Sequence, residues 1–170
     1  MSKHSKATRF HPLGAPVRGA GVIVEDEHDA YRQGAKPPEP TVCPECRAVF
    51  HGGRWQWLDS PAGAHEDLCP ACRRVRDRFP AGFLTLSGNF LREHRDEVMA
   101  LLGNRAERAR SEHPLQRLMA IEDRDGAVLV TTTDTHLARN LGTALHDAYR
   151  GELKFHYEQG QELLRVHWER

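Results

Sequence analysis

The chain has 170 residues with 24 basic and 24 acidic side chains, so no global field directs it to nucleic acid or to a membrane. Its apolar content is 39% and its mean hydropathy is -0.65, and values this low predict that part of the chain stays outside the core. No apolar run approaches the roughly 18 residues that cross a bilayer, and the N-terminus lacks the apolar core of a secretory signal. The length suits one domain or two very small ones, and we expect a soluble cytoplasmic protein.

Residues 1–40 are predicted to form a disordered arm. The first twenty residues contain basic side chains and no acid, and an acidic run, EDEHD, follows at residues 25–29. Glycines and prolines punctuate the segment, and its one apolar run is VIV at residues 22–24. So little apolar surface does not offset the conformational entropy lost on ordering.

Two CxxC loops, CPEC at residues 43–46 and CPAC at residues 69–72, contain all four cysteines of the chain. In a reducing compartment such pairs favour metal binding over disulfides, and four thiolates match the tetrahedral shell of Zn²⁺. They predict one structural zinc ion per chain, because four protein ligands leave no coordination position open. Iron is the competing metal, since Cys₄ sites also hold it, whereas a redox site would need one CxxC beside a βαβ pattern. The predicted ligands are Cys43, Cys46, Cys69 and Cys72.

Residues 41–82 are predicted to fold around this site as a Cys₄ zinc module. AVFHGGRWQW at residues 48–57 indicates a hairpin that turns at Gly52-Gly53. CPACRRVRDRFP at residues 69–80 indicates a short helix, since Pro suits the first helical position and a later Pro ends a helix. The apolar spacing predicts that one face of this helix is buried and carries Cys72, Val75 and Phe79.

The geometry of the module has two alternatives. A hairpin followed by a ligand-bearing helix favours a treble-clef-like arrangement, and a zinc ribbon is the rival. Ribbons usually carry glycine after the second cysteine of each loop, where a positive φ is required. Arg47 and Arg73 occupy those positions, which argues against a ribbon at the second loop.

Residues 83–113 are predicted to connect the module to a second folded unit. An extended piece at residues 83–86 precedes a helix with Asn89 as its N-cap, and Gly103-Asn104 is a candidate break in that helix. The predicted apolar face of the helix carries Leu91, His94, Val98, Leu101 and Leu102.

Residues 114–170 have the most regular pattern of the chain. Two strands flank an Asp-Arg-Asp-Gly turn, a helix follows with Thr133 or Asp134 as its cap, and a second hairpin turns at Gln159-Gly160. The order ββαββ predicts an antiparallel sheet with one helix on it, so the whole chain belongs to the α+β class. The predicted helix face carries Leu137, Leu141, Ala144, Leu145 and Ala148.

Four segments also resemble a known bacterial family: TVCPECRAVFHGGRWQW, CPACRRVRDRFPAGFLTLSGNF, HPLQRLMAIE and TTTDTHLARNLGTALHDAYRGEL. This family consists of small zinc-binding proteins without an assigned activity, and the resemblance runs from about Pro40 to the C-terminus. The family is similar in turn to the N-terminal zinc region of the archaeal and eukaryotic adaptor that exports the large ribosomal subunit. That similarity rests mainly on the paired CxxC loops, of which the adaptor has more. It implies association with RNA or the ribosome, and it names no site.

Arginines around the second cysteine loop form the best local basic patch. Guanidinium groups suit phosphate oxygens, and neighbouring tryptophans offer planes on which bases stack. The alternative is that these arginines form the solvated face of a helix while the tryptophans cover the metal. The candidate nucleic-acid-binding residues are Arg73, Arg74, Arg76, Arg78, Trp55 and Trp57.

Three further motifs suggest other chemistry. HRDE at residues 94–97 lacks the Asn that a kinase catalytic loop requires. His156 and His167 suggest a second metal site, with surface histidines as the alternative. TTTDTHLARN at residues 131–140 suggests an anion-binding loop at a helix N-terminus, with a strand end and N-cap as the alternative.

None of these motifs assembles a nucleophile, a base and an orienting group, so the sequence does not predict an enzyme, a small-molecule substrate or a membrane partner. It predicts a non-enzymatic, zinc-stabilised binding protein associated with RNA or the ribosome. The alternative is a protein-interaction adaptor in which zinc only holds the fold.

Overall fold

A computed structural model of the chain describes Tyr31 and residues 36–158 and 162–170. Its elements form two sheets and four helices, so the chain is an α+β protein as predicted. The strands are β1 Thr41–Val42, β2 Val49–His51, β3 Arg54–Gln56, β4 His65–Glu66, β5 Gly82–Ser87, β6 Leu118–Arg124, β7 Ala127–Thr132, β8 Glu152–Tyr157 and β9 Leu164–Glu169. The helices are α1 Pro70–Asp77, α2 Asn89–Glu93, α3 Arg95–Glu112 and α4 Thr135–Tyr149.

The first four strands form a small sheet in the order β3-β2-β1-β4. The predicted hairpin is confirmed: β2 and β3 pair antiparallel, and Gly52 and Gly53 take φ values of 60° and 77°. Two successive positive φ values match a tight hairpin turn, which glycine adopts without steric cost. The Glu39 carboxylate accepts hydrogen bonds from both glycine amides, at 2.7 and 2.9 Å, and so holds the turn.

Helix α1 begins as predicted, with Cys69 as its N-cap and Pro70 in the first turn. The predicted buried face of this helix is wrong for two of its three members, because Val75 is 45% and Phe79 is 52% exposed. Arg74 is buried instead, at 4% exposure. Its guanidinium donates to the Phe79 carbonyl at 3.1 Å and lies 4.6 Å from the centre of the Tyr31 ring.

The C-terminal sheet contains one strand more than predicted. The hairpins β6-β7 and β8-β9 do not pair with each other, because β5 lies between them in the order β6-β7-β5-β9-β8. Strand β5 is antiparallel to β7 but parallel to β9, so the sheet is mixed rather than antiparallel. The extended piece that was assigned to the connecting segment is therefore the central strand of this sheet. The predicted turn at Gln159-Gly160 lies outside the described residues.

The connecting helix differs in detail from its prediction. Asn89 is the first helical residue rather than the cap, and the cap position is Gly88 with no side-chain hydrogen bond. The helix is interrupted at His94, and α3 then runs without a break through Gly103-Asn104. In α4, Asp134 is the N-cap and accepts a hydrogen bond from the Leu137 amide at 2.9 Å.

The main core lies between the helices and one face of the five-stranded sheet. Alternate residues of β5 and β9 are buried there, while α4 packs directly on β5 and β9. A Cβ on Gly142 of α4 would lie 2.6 Å from a Val166 methyl, so this glycine permits the close approach of helix and sheet. The fully buried members include Trp168, Leu84, Leu86, Leu102, Leu137, Leu141 and Leu145.

The predicted boundary of the arm at residue 40 falls inside a segment that contacts the module. Thr41 donates its hydroxyl hydrogen to the Pro38 carbonyl at 2.5 Å, in addition to the contacts of Glu39. Tyr31 stacks on Phe79 with ring centres 5.5 Å apart and donates to the Asp77 carboxylate at 2.9 Å. Residues 1–30 and 32–35 of the predicted arm lie outside the described residues.

Candidate metal centre

The four cysteines converge on one point of the fold. Their sulfur atoms all lie within 4.8 Å of one another, and none of them is in a disulfide. Sulfurs about 2.3 Å from a tetrahedral Zn²⁺ are about 3.8 Å apart, and the Sγ atoms of Cys46 and Cys69 are separated by 3.8 Å. The donor set and its spacing therefore fit a metal ion held by four thiolates, as predicted.

Local backbone geometry places these ligands. The first pair sits in the turn after β1, which is closed by hydrogen bonds from the Cys43 amide to Ala48 O and from the Arg47 amide to Cys43 O. The second pair occupies the first turn of α1, where the Cys72 amide donates to the Cys69 sulfur at 3.4 Å. One ligand pair in a turn, an intervening hairpin and a second pair at a helix start match the treble-clef-like alternative.

Arg47, which follows the second cysteine of the first loop, shows that a residue other than glycine adopts the positive φ there. It takes a φ of 67° although it is not glycine. The positive φ required after the second cysteine is therefore present, and its guanidinium donates to the Ser60 hydroxyl at 2.9 Å.

The metal centre is closed to solvent on most sides. Cys43 and Cys69 are fully buried, Cys72 is 3% exposed, and Cys46 is half-buried. Three side chains pack against the cysteine cluster: Trp55, Leu68 and Leu115. Four protein ligands leave no coordination position for a substrate, so a metal held here is structural rather than catalytic.

Arg117 is the residue of this site that sequence reasoning missed. Its guanidinium donates to the Cys72 sulfur at 3.3 Å and to the Cys69 sulfur at 3.7 Å. It lies 45 residues beyond Cys72 and belongs to no metal-binding spacing. The one sequence signal that includes it is the segment HPLQRLMAIE, which carries part of the family resemblance but points to no metal.

The sulfur contacts shift the acidity of the thiols. The pKa of Cys46 is lowered to about 4, mainly because its sulfur accepts a hydrogen bond from Cys69, with Arg117 acting in the same direction. The pKa of Cys69 is raised because it donates that bond and because it is buried, and burial raises the pKa of Cys72 to about 12. Burial alone would lower the pKa of Arg117, but hydrogen bonding and attraction to the thiolates raise it. A dication displaces the thiol protons when it binds, so metal affinity falls as the pH falls.

The candidate arginines for nucleic-acid binding occupy different environments. Arg74 is buried, and Arg73 pairs with Asp67 at 2.6 Å and donates to the Leu68 carbonyl. Arg76 is exposed and pairs with Glu45 at 2.8 Å, and Arg78 is exposed as the left-handed C-cap of α1. Two of the four arginines, Arg76 and Arg78, are therefore exposed at the surface.

The two candidate tryptophans also differ. Trp55 is half-buried and packs against the cysteine cluster, which is the metal-covering role that was the alternative to base stacking. Trp57 is 37% exposed, and its indole N–H donates to the Arg110 carbonyl at 2.7 Å. It therefore connects the four-cysteine module to the end of α3.

The two remaining motifs are also placed. His156 and His167 lie on one face of β8 and β9, opposite Arg165 and Lys154 respectively. Among the described residues, the metal-binding groups of three or more ligands consist of the four cysteines alone. The first three threonines of TTTDTHLARN are buried and Asp134 caps α4, which confirms the strand end and N-cap.

No protein-family model matches the sequence, and no curated protein or solved structure matches it significantly. In the part of the chain that the structure describes, no helix has the length and apolarity needed to cross a membrane. The fold and the site together define an α+β protein with a four-cysteine metal-binding module.

Proposed function

We propose that this protein is a cytoplasmic, non-enzymatic binding protein that holds one structural zinc ion per chain and associates with RNA, on the ribosome or free. The closed shell of four thiolates supports the structural role of the metal, and cysteine sulfur favours zinc among the abundant divalent ions. The family resemblance of the sequence points to the same class of partner.

The observation that best supports RNA as the partner is the outward face of the five-stranded sheet, on which none of the described helices packs. The helices pack on the face of Leu84 and Val166, so the alternate residues of β5, β8 and β9 face outward. On this outward face, near the start of β5 and β9, the Arg165 guanidinium lies 4.7 Å from the centre of the Phe83 ring. Unstacked bases of single-stranded RNA stack on aromatic rings and on guanidinium planes.

The surroundings of this stack suit a phosphate backbone. Four side chains with basic groups lie on β8 and β9 beside Phe83 and Thr85, on the same face of the sheet: Lys154, His156, Arg165 and His167. Arg165 pairs with Glu158 and Lys154 with Glu152. Such exposed pairs contribute only about 0–1 kcal/mol, so a phosphate can compete with the carboxylates. We therefore assign the RNA surface to the sheet in preference to helix α1.

Ribosome sedimentation and binding to single-stranded RNA, each at low and high salt, test this proposal. Replacing Phe83 with Leu and Arg165 with Gln should weaken binding by roughly 5- to 150-fold, the equivalent of about 1–3 kcal/mol for one lost stacking interaction. The salt slope should also fall by about one unit if Arg165 contacts a phosphate. The matched control replaces Arg76 and Arg78 with Gln on α1, and it should bind almost as the wild type does.

Three outcomes separate the possibilities. If the control variant loses binding and the sheet variant keeps it, the RNA surface lies on α1, as the sequence predicted. If the wild type binds neither ribosomes nor RNA at low salt, the nucleic-acid proposal is wrong. Zinc content must remain at one per chain in both variants for the comparison to hold.

A protein partner is the second candidate, and the edge strand β8 favours it. This strand pairs only with β9 among the described strands, and Phe155 and Tyr157 on it are 38% and 52% exposed. An edge with exposed aromatic side chains can accept an added strand from another protein. A wild-type protein that co-purifies with one polypeptide and with no RNA would support this candidate over the first.

A further inference from the structure

Arg117 is anchored at both of its ends. All three nitrogens of its guanidinium are donors: Nε donates to the Pro114 carbonyl at 2.7 Å, and the two terminal nitrogens donate to the sulfurs of Cys72 and Cys69. The flat fork of arginine reaches two acceptors at once, whereas a lysine ammonium acts as a point charge. The side chain is therefore held in one orientation against the second cysteine pair.

The backbone of Arg117 belongs to the other half of the molecule. Its amide donates to the Thr133 hydroxyl oxygen at 2.9 Å, and its carbonyl accepts from the Thr133 amide at 2.9 Å. Thr133 is 5% exposed, directly precedes the N-cap of α4, and donates its hydroxyl hydrogen to the Leu115 carbonyl. Leu115 itself packs against the cysteine cluster. A short stretch before β6 thus contacts both the metal ligands and the start of α4.

We infer that Arg117 is a positioning residue of the metal centre and the joint between that centre and the sheet. This inference rests on the proposed zinc site. Four thiolates around a dication leave two negative charges, and the guanidinium offsets one of them in a half-buried position. Partners that hydrogen-bond to metal ligands fix the orientation of those ligands and tune their affinity for the metal. Loss of the metal, in turn, releases the guanidinium from the sulfurs and loosens the hydrogen bonds between the Arg117 backbone and Thr133.

Zinc affinity tests the first part of this inference. Arg117→Gln removes the charge and the fork, and it should weaken zinc binding by about 10- to 100-fold in competition with a chromophoric chelator. Arg117→Lys keeps the charge without the fork and should fall between that variant and the wild type. Arg124→Gln is the matched control, since Arg124 lies at the far end of β6, the strand that follows Arg117. Arg124 is exposed and pairs with Glu122, and this variant should bind zinc as the wild type does.

A spectroscopic readout separates ligand positioning from general stability. In cobalt-substituted protein the sulfur-to-metal charge-transfer band should shift in Arg117→Gln and stay fixed in Arg124→Gln. If Arg117→Gln fails to fold, the lysine variant and the wild type supply the measurement. Amide exchange at Arg117 and Thr133 should then be faster in chelator-treated wild type than in zinc-loaded wild type.

The inference is overturned if Arg117→Gln retains wild-type zinc affinity and an unshifted cobalt band, or if exchange at Thr133 does not respond to the metal. Either result leaves the zinc site itself in place. A wild-type protein that takes up no zinc after reconstitution under reducing conditions would instead overturn the proposed metal, so the two failures are distinguishable.

Discussion

The four-cysteine module and the five-stranded sheet are built around different kinds of interior. The module has strands of two or three residues, and its interior consists of cysteines with a few side chains around them. The sheet has strands of six or seven residues and a contiguous apolar core that includes Trp168 and several leucines. Small units with too little apolar surface to fold alone rely on a metal or disulfides. In this chain one half is centred on four cysteines and the other on a large apolar core.

The largest expected effect is loss of the metal from the module. Cys69→Ser removes one of the four thiolates, and the binding energy of a structural zinc, on the order of 10 kcal/mol in zinc-finger peptides, is folding energy. We expect residues 41–79 to lose amide protection while the core amides of the sheet, which begins at Gly82, keep theirs. Hydrogen exchange and zinc analysis measure both effects, and chelator treatment of the wild type should reproduce them.

A loss of protection across the whole chain in Cys69→Ser would break this division. Arg117 and Trp57 cross between the two halves, so partial loosening near Thr133 and Arg110 is compatible with it. Cooperative unfolding of β5 and β9 is not.

The next largest effect should come from the core of the sheet. Leu84 is fully buried on the central strand, and Leu84→Ala should lower the free energy of unfolding by about 2–5 kcal/mol through lost burial and the cavity left behind. Zinc content should remain at one per chain, because Leu84 belongs to a different cluster from the cysteines. Denaturant unfolding followed with zinc analysis checks this prediction. Release of zinc from folded Leu84→Ala protein would show that the two cores act as one.

The smallest expected effect concerns Glu39, which holds the hairpin turn of the module independently of the metal. The hydrogen bonds from Gly52 and Gly53 lower the pKa of Glu39 below its ordinary value of 4.5. The stability that the Glu39 carboxylate gives to the hairpin is therefore present above the ordinary pKa and is lost as the pH falls through the lower pKa of the folded protein. At pH 7 it is therefore fully present. Glu39→Gln should speed amide exchange at Gly52 and Gly53 with little change in zinc content.

Glu66→Gln on the exposed strand β4 is the control for Glu39 and should leave that exchange unchanged. Equal exchange at the two glycines in wild type and Glu39→Gln would mean that the metal and the backbone alone hold this hairpin.

Local patterns accounted for most individual elements. The Gly-Gly turn, Cys69-Pro70 at the start of α1, and Asp134 at the start of α4 act through neighbouring backbone, so their effects are visible within a few residues. The metal ligands were predictable for the same reason, because two CxxC loops report their chemistry by spacing. The prediction of Asn89 as an N-cap was wrong because the helix begins one residue earlier than the capping preference of Asn indicates, with Gly88 at the cap position.

The errors concern contacts between segments that are distant in the chain. Apolar spacing placed Val75 and Phe79 inside and the arginines outside, but a helix of eight residues can bury only the side that its neighbours cover. The neighbours of α1 cover Ala71, Cys72 and Arg74, and Tyr31 lies over the guanidinium of Arg74. Nothing in the spacing within α1 encodes that choice.

The sequence by itself determined the metal-binding residues, the α+β class and the positions of the hairpins, since each depends on residue type and on separations of a few residues. Only the tertiary structure decided that β5 is the centre of the sheet, parallel to β9, and that Arg117 reaches the sulfurs of Cys69 and Cys72. Strand pairing across some 80 residues and a guanidinium 45 residues from its nearest sulfur partner are set by how whole elements pack. Packing of this kind is a property of the assembled core, and it produces no periodic pattern in the sequence from which it could be predicted.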